Sequence, residues 1–234
     1  MRPLLVATTN PGKLREIREL MADVPVSLVC LADVPPVAEP EETGATFEEN
    51  ARLKARYYAA HTGLLTVAED SGLVIDALDG EPGVRSARFL RPDASYPERF
   101  AEIFRRLSSP PNVGPDVGPD VGPDVGPGDA RPAARGSAHR GDLPDRPRTA
   151  RFVAAVACVD GDRVVYETTG VVEGEIAREP RGAGGFGYDP IFYYPPYGRT
   201  LAEVSQTEKT RIAHRGIAFR AFAAWLGGRL VVGG

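Results

Sequence analysis

The 234-residue chain is poor in sulfur, with two cysteines and two methionines. Cys30 and Cys158 each stand in an apolar, strand-like setting, Val-Ser-Leu-Val-Cys and Ala-Val-Ala-Cys-Val. Neither has ligand spacing to a second thiol or imidazole, which excludes a zinc site of the usual kind. They read as buried free thiols, with a disulfide left open. No stretch approaches the 18 or more apolar residues of a membrane span. The apolar run at 4–7 is too short for the core of a secretion signal, so a cytoplasmic location is expected. Basic excess is also missing: the net charge is −4 and the pI about 5.5. That argues against a general nucleic-acid binder but leaves room for an anionic small ligand held by a few local cations. The GxxxxGK[ST] loop of common nucleotide-binding proteins is absent.

What is present is ordinary for a globular chain, 42% apolar and 26% charged. The length suffices for one substantial core in one or two lobes. Residues 4–8 read as a buried strand. Asn10 caps a helix that Pro11 opens and that carries the stripe Leu14, Ile17, Leu20, Met21. A second strand is expected at 26–31 and a Pro- and Glu-rich loop at 33–45. Thr46-Phe47-Glu48-Glu49 is a capping-box match for a helix to about residue 61, stopped by Gly63. A strand at 64–68 then leads into an acidic turn, 73–78 continues extended, and 96–107 is helical.

The pattern breaks at about 108–148, where three tandem copies of Val-Gly-Pro-Asp fill 113–124. Pro and Gly at this density remove helix and strand ladders, and little apolar side chain is available to bury. The segment reads as a disordered insertion or long surface loop interrupting one domain that spans 1–234. Beyond it, 151–159 and 163–168 form a hairpin around Asp160-Gly161-Asp162. Residues 170–176 are extended, 182–187 make a glycine-rich turn, and Ser205-Gln206-Thr207-Glu208 caps a last helix to about 226. Helices and strands alternate without strict regularity, the mark of an α/β fold with a mixed sheet.

Four stretches can carry chemistry. The turn Thr8-Thr9-Asn10-Pro11-Gly12-Lys13 joins a strand to a helix, and helix starts attract anions. It equally describes a capped helix with a surface Lys. Glu69-Asp70-Ser71-Gly72 ends an apolar run. On an extended segment its two carboxylates point to opposite faces, and Asp-Ser-Gly is also turn chemistry. With Glu41-Glu42 upstream, carboxylates from separate segments can share a hard divalent ion with substrate phosphates. Lys209 falls in the first turn of a helix, where a cation wants an anionic partner, and His214-Arg215 follows; Lys54 alone reads as a surface Lys. Finally, Gly182 to Pro190 combines close-approach glycines with Phe186 and Tyr188 as stacking faces and Asp189 as an acceptor. A glycine-rich hairpin with core aromatics is the alternative.

In this order, the motifs resemble the inosine triphosphate pyrophosphatase family (the HAM1 family) of non-canonical purine nucleoside triphosphate pyrophosphatases. The matching stretches are 7–13, 41–54, 68–73, Pro82-Gly83 with Ser86-Ala87-Arg88, 179–192, and Glu208-Lys209 with His214-Arg215-Gly216. Only about 108–148 lies outside. The resemblance implies an elongated α/β fold with a mixed central sheet and two lobes around a nucleotide-binding cleft, usually in a homodimer. It implies Mg2+-dependent hydrolysis of ITP, dITP and XTP to the monophosphate and pyrophosphate. It assigns Thr8, Thr9, Asn10, Pro11, Gly12 and Lys13 to the triphosphate turn, Asp70 to proton acceptance and metal binding, and Glu41 to the metal. Lys54, Ser71 and Lys209 become substrate contacts. Phe186, Gly187, Tyr188, Asp189, His214 and Arg215 become base-recognition elements. Thr9 departs from a frequent Gly or Ser, and Glu69 from an Asp in some relatives. A pyrophosphatase for modified pyrimidine or methylated nucleotides is disfavoured by the base-recognition residues. A catalytically inactive purine-nucleotide-binding regulator is disfavoured by the intact Glu41, Asp70 and Lys13.

Overall fold

The structure, a computed structural model, describes residues 3–108 and 146–232. The tandem Val-Gly-Pro-Asp copies lie outside the described residues. Seven strands form one sheet in the order β2-β1-β3-β4-β5-β6-β7. β1 (Pro3–Ala7) pairs in parallel with β2 (Ser27–Cys30) and β3 (Leu65–Ile75). β4 (Thr149–Asp160), β5 (Arg163–Ile176), β6 (Phe192–Tyr194) and β7 (Arg199–Thr200) extend it antiparallel. The sheet is therefore mixed and the fold α/β, as the alternation of elements implied.

The helices start where side chains cap them. Asn10 accepts from Gly12 N and Lys13 N at the head of α1 (Pro11–Leu20). Thr46 accepts from Glu49 N at the head of α2 (Phe47–Thr62), and Gly63 ends that helix at φ 68°. The expected box is only half closed: Glu49 turns back to Ala45 N instead of Thr46 N. α3 (Tyr96–Leu107) carries a full capping box from Ser95 and Glu98. Such caps are worth about 1 kcal/mol each.

Alternation along β1 sorts its neighbours. Leu4 and Val6 face α1 and the last helix with Phe219 and Phe222, while Leu5 and Ala7 face Ala51 and Ala55 of α2. A third cluster sits at the other end of the long strands, where Leu73, Ile75 and Phe152 meet Ile103 of α3 and Phe192 of β6. β3, β4 and β5 thus run through two lobes; 14 residues of β5 span about 45 Å at strand rise.

Two expectations are corrected. No acidic turn follows residue 68: β3 continues through Glu69–Gly72, paired with β4 from Thr66↔Val159 to Ile75↔Ala150. Long-range ladder bonds win over the local turn preference of Asp-Ser-Gly. The last helix is also two, α4 (Gln206–Ile212) and α5 (His214–Val232), separated by Ala213 in extended conformation. The carbonyls of Thr210 and Arg211, left over at the break, accept from the Arg220 guanidinium. Cys30 and Cys158 are buried thiols outside any disulfide, as read. No helix among the described residues is long and apolar enough to cross a membrane.

Candidate active site

The middle of β3, between the two lobes, carries the site. Glu69 and Asp70 do face opposite ways, and both are buried. Asp70 turns toward α2, where Lys54 Nζ donates to Oδ1 at 3.0 Å and Asn50 Nδ2 to Oδ2 at 3.2 Å. Lys54 also donates to Glu42 Oε1 at 2.7 Å, and Glu42 is held from beyond by Arg88 at 2.7 Å. The carboxylate coupled to Asp70 is thus Glu42. Glu41 is exposed and lines the same cleft.

This cleft, of about 630 Å³, is also lined by Thr8, Thr9, Asn10, Lys13 and Ser71. Burial pushes the Asp70 pKa up, against the pull of Lys54 and Lys13. Burial alone would lower the Lys54 pKa, but Asp70 and Glu42 together hold it above the ordinary value. Both partners of the pair therefore shift upward. Lys54 has two carboxylates while Asp70 also feels the like charge of Glu42.

The triphosphate turn is more self-contained than a bare helix start. Asn10 Oδ1 takes the N–H groups of Gly12 at 2.9 Å and Lys13 at 3.1 Å. Pro11 has no N–H, so a ligand's charge is left mainly to the Lys13 side chain. Burial lowers the Lys13 pKa, partly offset by Glu69, whose carboxylate lies 3.9 Å away. Thr9 Oγ1 donates to Glu39 at 3.2 Å, tying the turn to the acidic loop. Gly12 is closely packed: a Cβ there would stand 3.0 Å from the Phe186 ring, which would have to shift by a few tenths of an ångström.

A smaller cavity of about 80 Å³ adjoins the cleft and shares Asn10, Lys13 and Ser71 with it. Phe186, Gly187, Tyr188, Asp189, Lys209, His214 and Arg215 all line it, from segments far apart in sequence. Phe186 lies under two cations, Lys209 Nζ at 4.5 Å and the Arg215 guanidinium at 5.4 Å from the ring centre. Tyr188 is committed to the core instead. It is 3% exposed, donates its hydroxyl to Ser86 O at 2.9 Å and meets Tyr96 edge-on.

Asp189 accepts from Lys209 at 2.7 Å and from Phe186 N at 2.7 Å. Burial pushes its pKa up, against Lys209. Arg215 grips Glu69 with two bonds of 2.9 and 3.0 Å and reaches Ser71 at 3.2 Å. Burial would raise the Glu69 pKa, but Arg215 and Lys13 drive it far below the carboxylate range. His214 stacks on Phe152 at 4.8 Å, and its buried Nδ1 has no partner among the described residues. Burial and the adjacent Arg215 hold its pKa well below the ordinary value. It is a neutral imidazole in the cavity wall with an unpaired ring nitrogen.

Sequence reasoning missed Glu16, Glu42 as distinct from Glu41, Asn50 and the ties of Arg88. Only Glu16 left a trace: it follows Lys13 by three residues, on one helix face.

Comparison with known proteins gives the family. The model of the Ham1 family matches residues 4–114 and 136–225, leaving a gap inside the Gly/Pro-rich insertion. A dITP/XTP pyrophosphatase of Halalkalibacterium halodurans is 36% identical over 97% of this chain and 100% of its own length. One of Thermus thermophilus is 42% identical over 93% and 88% respectively. A HAM1 protein structure from Coxiella burnetii superposes with a TM-score of 0.75 at 36% identity, covering 97% of this chain and 98% of the other. The chain belongs to the Ham1 family.

Proposed function

We propose that this chain is a Mg2+-dependent pyrophosphatase for non-canonical purine nucleoside triphosphates, ITP, dITP and XTP, releasing the monophosphate and pyrophosphate. The names of the relatives support this class of substrate. The observation that carries the reading is the pair of adjoining cavities. One contains the buried Asp70 among cations and further carboxylates, and the other is walled by aromatic rings, the cations Lys13, Lys209 and Arg215, the Asp189 carboxylate and a neutral imidazole.

In this reading water attacks the α-phosphorus, the bond to the bridging oxygen breaks, and pyrophosphate leaves. Asp70 accepts the proton of that water. A raised pKa makes it a stronger base than an exposed carboxylate, and such help is worth about 10²–10⁴ in rate. Lys13 and Lys54 stabilise charge growing on the leaving group.

Among the described residues no three His, Cys, Asp or Glu side chains are grouped to hold an ion alone. Mg2+ usually takes one or two carboxylates and completes its shell with waters and phosphates, and the oxygen-only donors here suit it. Asp70 and the Glu41–Glu42 pair would hold it. Glu42, which Lys54 already links to Asp70, fits that role better than the exposed Glu41. When bound, the ion supplies neutralisation of phosphate charge.

The base is read by polarity. A 6-oxo purine offers an acceptor at O6 and a donor at N1; a 6-amino purine reverses both. Lys209 and Arg215 supply donors, Asp189 an acceptor, and His214 an unpaired nitrogen. A base of reversed polarity leaves these buried groups unmatched, which is a costly error. The resemblance extends the proposal to a homodimer working in the cytoplasm.

The test is incubation of the full chain with Mg2+ and, separately, ITP, XTP, GTP and ATP, with monophosphate and pyrophosphate measured. On this polarity, release from ITP and XTP with little from ATP is expected; low release from GTP, which shares the 6-oxo group, is what the resemblance to the family implies. Binding without hydrolysis would favour the inactive regulator, and equal turnover of all four would refute the base reading.

A further inference from the structure

One carboxylate beneath the base cavity is shared by two of its cations. Glu16 of α1 is 5% exposed. Its Oε2 accepts from Arg215 Nη1 at 2.5 Å, and its Oε1 lies 2.8 Å from Lys209 Nζ. Lys209 has a second carboxylate in Asp189, and Arg215 a second in Glu69. Among the carboxylates of the described residues Glu16 alone pairs with both cations. No aligned hydrogen bond reaches its Oε1, so the tie to Lys209 is an ion pair. It fixes where the ammonium sits without fixing where all its hydrogens point.

The helix break explains why such a tie is needed. Residues six apart on an unbroken helix lie roughly 9 Å apart along the axis and about 240° round it, on different faces. Lys209 belongs to α4 and Arg215 to α5, with Ala213 extended between them. No continuous helix therefore sets the spacing of the two cations, yet both lie over the Phe186 ring. Glu16 spans them from a third element. The same helix begins at the Asn10–Lys13 turn, so the tie also joins the base cavity to the triphosphate turn.

We propose that Glu16 is a positioning residue for base recognition, holding Lys209 and Arg215 in the register that distinguishes 6-oxo from 6-amino purines. The inference rests on the base-reading role proposed above and deepens it. Glu16 makes no contact with Asp70 or Lys54 among the contacts described, so its effect falls on selection of the nucleotide and not on the hydrolytic step.

The experiment compares wild type, Glu16→Gln and Glu16→Asp as full chains with Mg2+, measuring kcat and KM for ITP and ATP together with Tm. In Glu16→Gln the ratio of kcat/KM for ITP over ATP should fall about tenfold or more, since a mispositioned donor no longer rewards the matching base. The loss should appear as a higher KM for ITP, with kcat within about threefold of wild type, the signature of lost binding as opposed to lost transition-state contact. Glu16→Asp keeps the charge on a stem too short to reach both cations and should lower the ratio less. A merely structural role would lower Tm and both activities together, leaving the ratio unchanged, and would overturn the proposal. If Glu16→Gln does not fold, an unchanged ratio in Glu16→Asp overturns it equally. A wild type without preference for ITP over ATP would bring down the base reading itself and this inference with it.

Discussion

Replacing Asp70 with Asn separates the chemistry of the site from its stability. The amide keeps the carboxylate's shape and can still accept from Lys54, now 3.0 Å away. Its NH2 would face the Asn50 NH2, 3.2 Å from the present Oδ2. Asn50 cannot flip cheaply, because its oxygen accepts from Gly44 N at 2.8 Å. One buried hydrogen bond is therefore lost, at about 1 kcal/mol. A gain opposes it. Burial raises the Asp70 pKa in the fold, so the unfolded chain gives up that proton at lower pH than the folded one. Stability is then lost as pH rises from the unfolded value through the folded one, and at neutral pH the ionised group is a net cost. The amide removes that cost, and Lys54 keeps Glu42 as its counter-charge.

Loss and gain oppose each other, so Tm should move by less than about 4 °C, the shift of roughly 1 kcal/mol in a domain of this size. Turnover of ITP should fall by about 10²–10⁴, the usual worth of a positioned base, or about 2.7–5.4 kcal/mol of barrier. Pyrophosphate release at saturating ITP gives the rate, equilibrium dialysis of ITP gives binding, and a thermal melt gives Tm. A folded variant turning over within tenfold of wild type would remove Asp70 from its role. A Tm collapse accompanying the loss would refute the claim that the buried charge is a net cost.

Gly72→Ala should destabilise the fold by about 2 kcal/mol or more, as overpacking does, because its Cβ would stand 2.3 Å from Ser86 Oγ and 2.5 Å from Gly83 O. A thermal melt checks it, and an unchanged Tm would mean the turn at Gly83 yields freely. Stability should also decline as pH drops below about 6.5, the ordinary histidine value. Unfolded His214 binds a proton there and the buried ring resists it, so the unfolded state carries more protons and is favoured. Chemical denaturation of wild type and His214→Asn between pH 5 and 8, the range in which histidine titrates, should show a flatter profile in the variant. Parallel profiles would place the proton elsewhere.

Local signals were legible in the sequence and tertiary ones were not. Asn10, Thr46 and Ser205 mark helix starts because a capping oxygen acts within three residues. Glu69–Gly72 carries the local signature of a turn, but its fate is decided by β4, some 80 residues away in sequence, and by Gly72 packing against Ser86. The break at Ala213 depends on Arg220 reaching back to Thr210 and Arg211, which no periodicity displays. Between Glu41 and Glu42 the choice is one of loop path: the side chain that meets Lys54 and Arg88 is set by where α2 and residues 83–88 lie. Glu16 resembles any solvent-facing Glu of an amphipathic helix until Arg215, 199 residues distant, is folded against it.

Charge explains why the two cavities suit different halves of one ligand. Lys13, Lys209 and Arg215 in the lining of the base cavity are matched by Asp189 beside them and by Glu16 and Glu69 behind the lining. Equal numbers of opposite sign leave dipoles and hydrogen-bond directions, not net charge, to act on what enters, and a neutral purine is read by those. The larger cleft is different. Its lining holds Lys13, Lys54 and Arg88 against Glu39, Glu41, Glu42, Glu69 and Asp70, a net charge of −2. A triphosphate, itself strongly anionic, meets net repulsion there unless it brings a cation with it. In the proposed reaction Mg2+ meets that need. On that proposal the acidity of the cleft would favour the phosphate chain as a metal complex, while burial, with the like charge of Glu42 beside it, raises the Asp70 pKa.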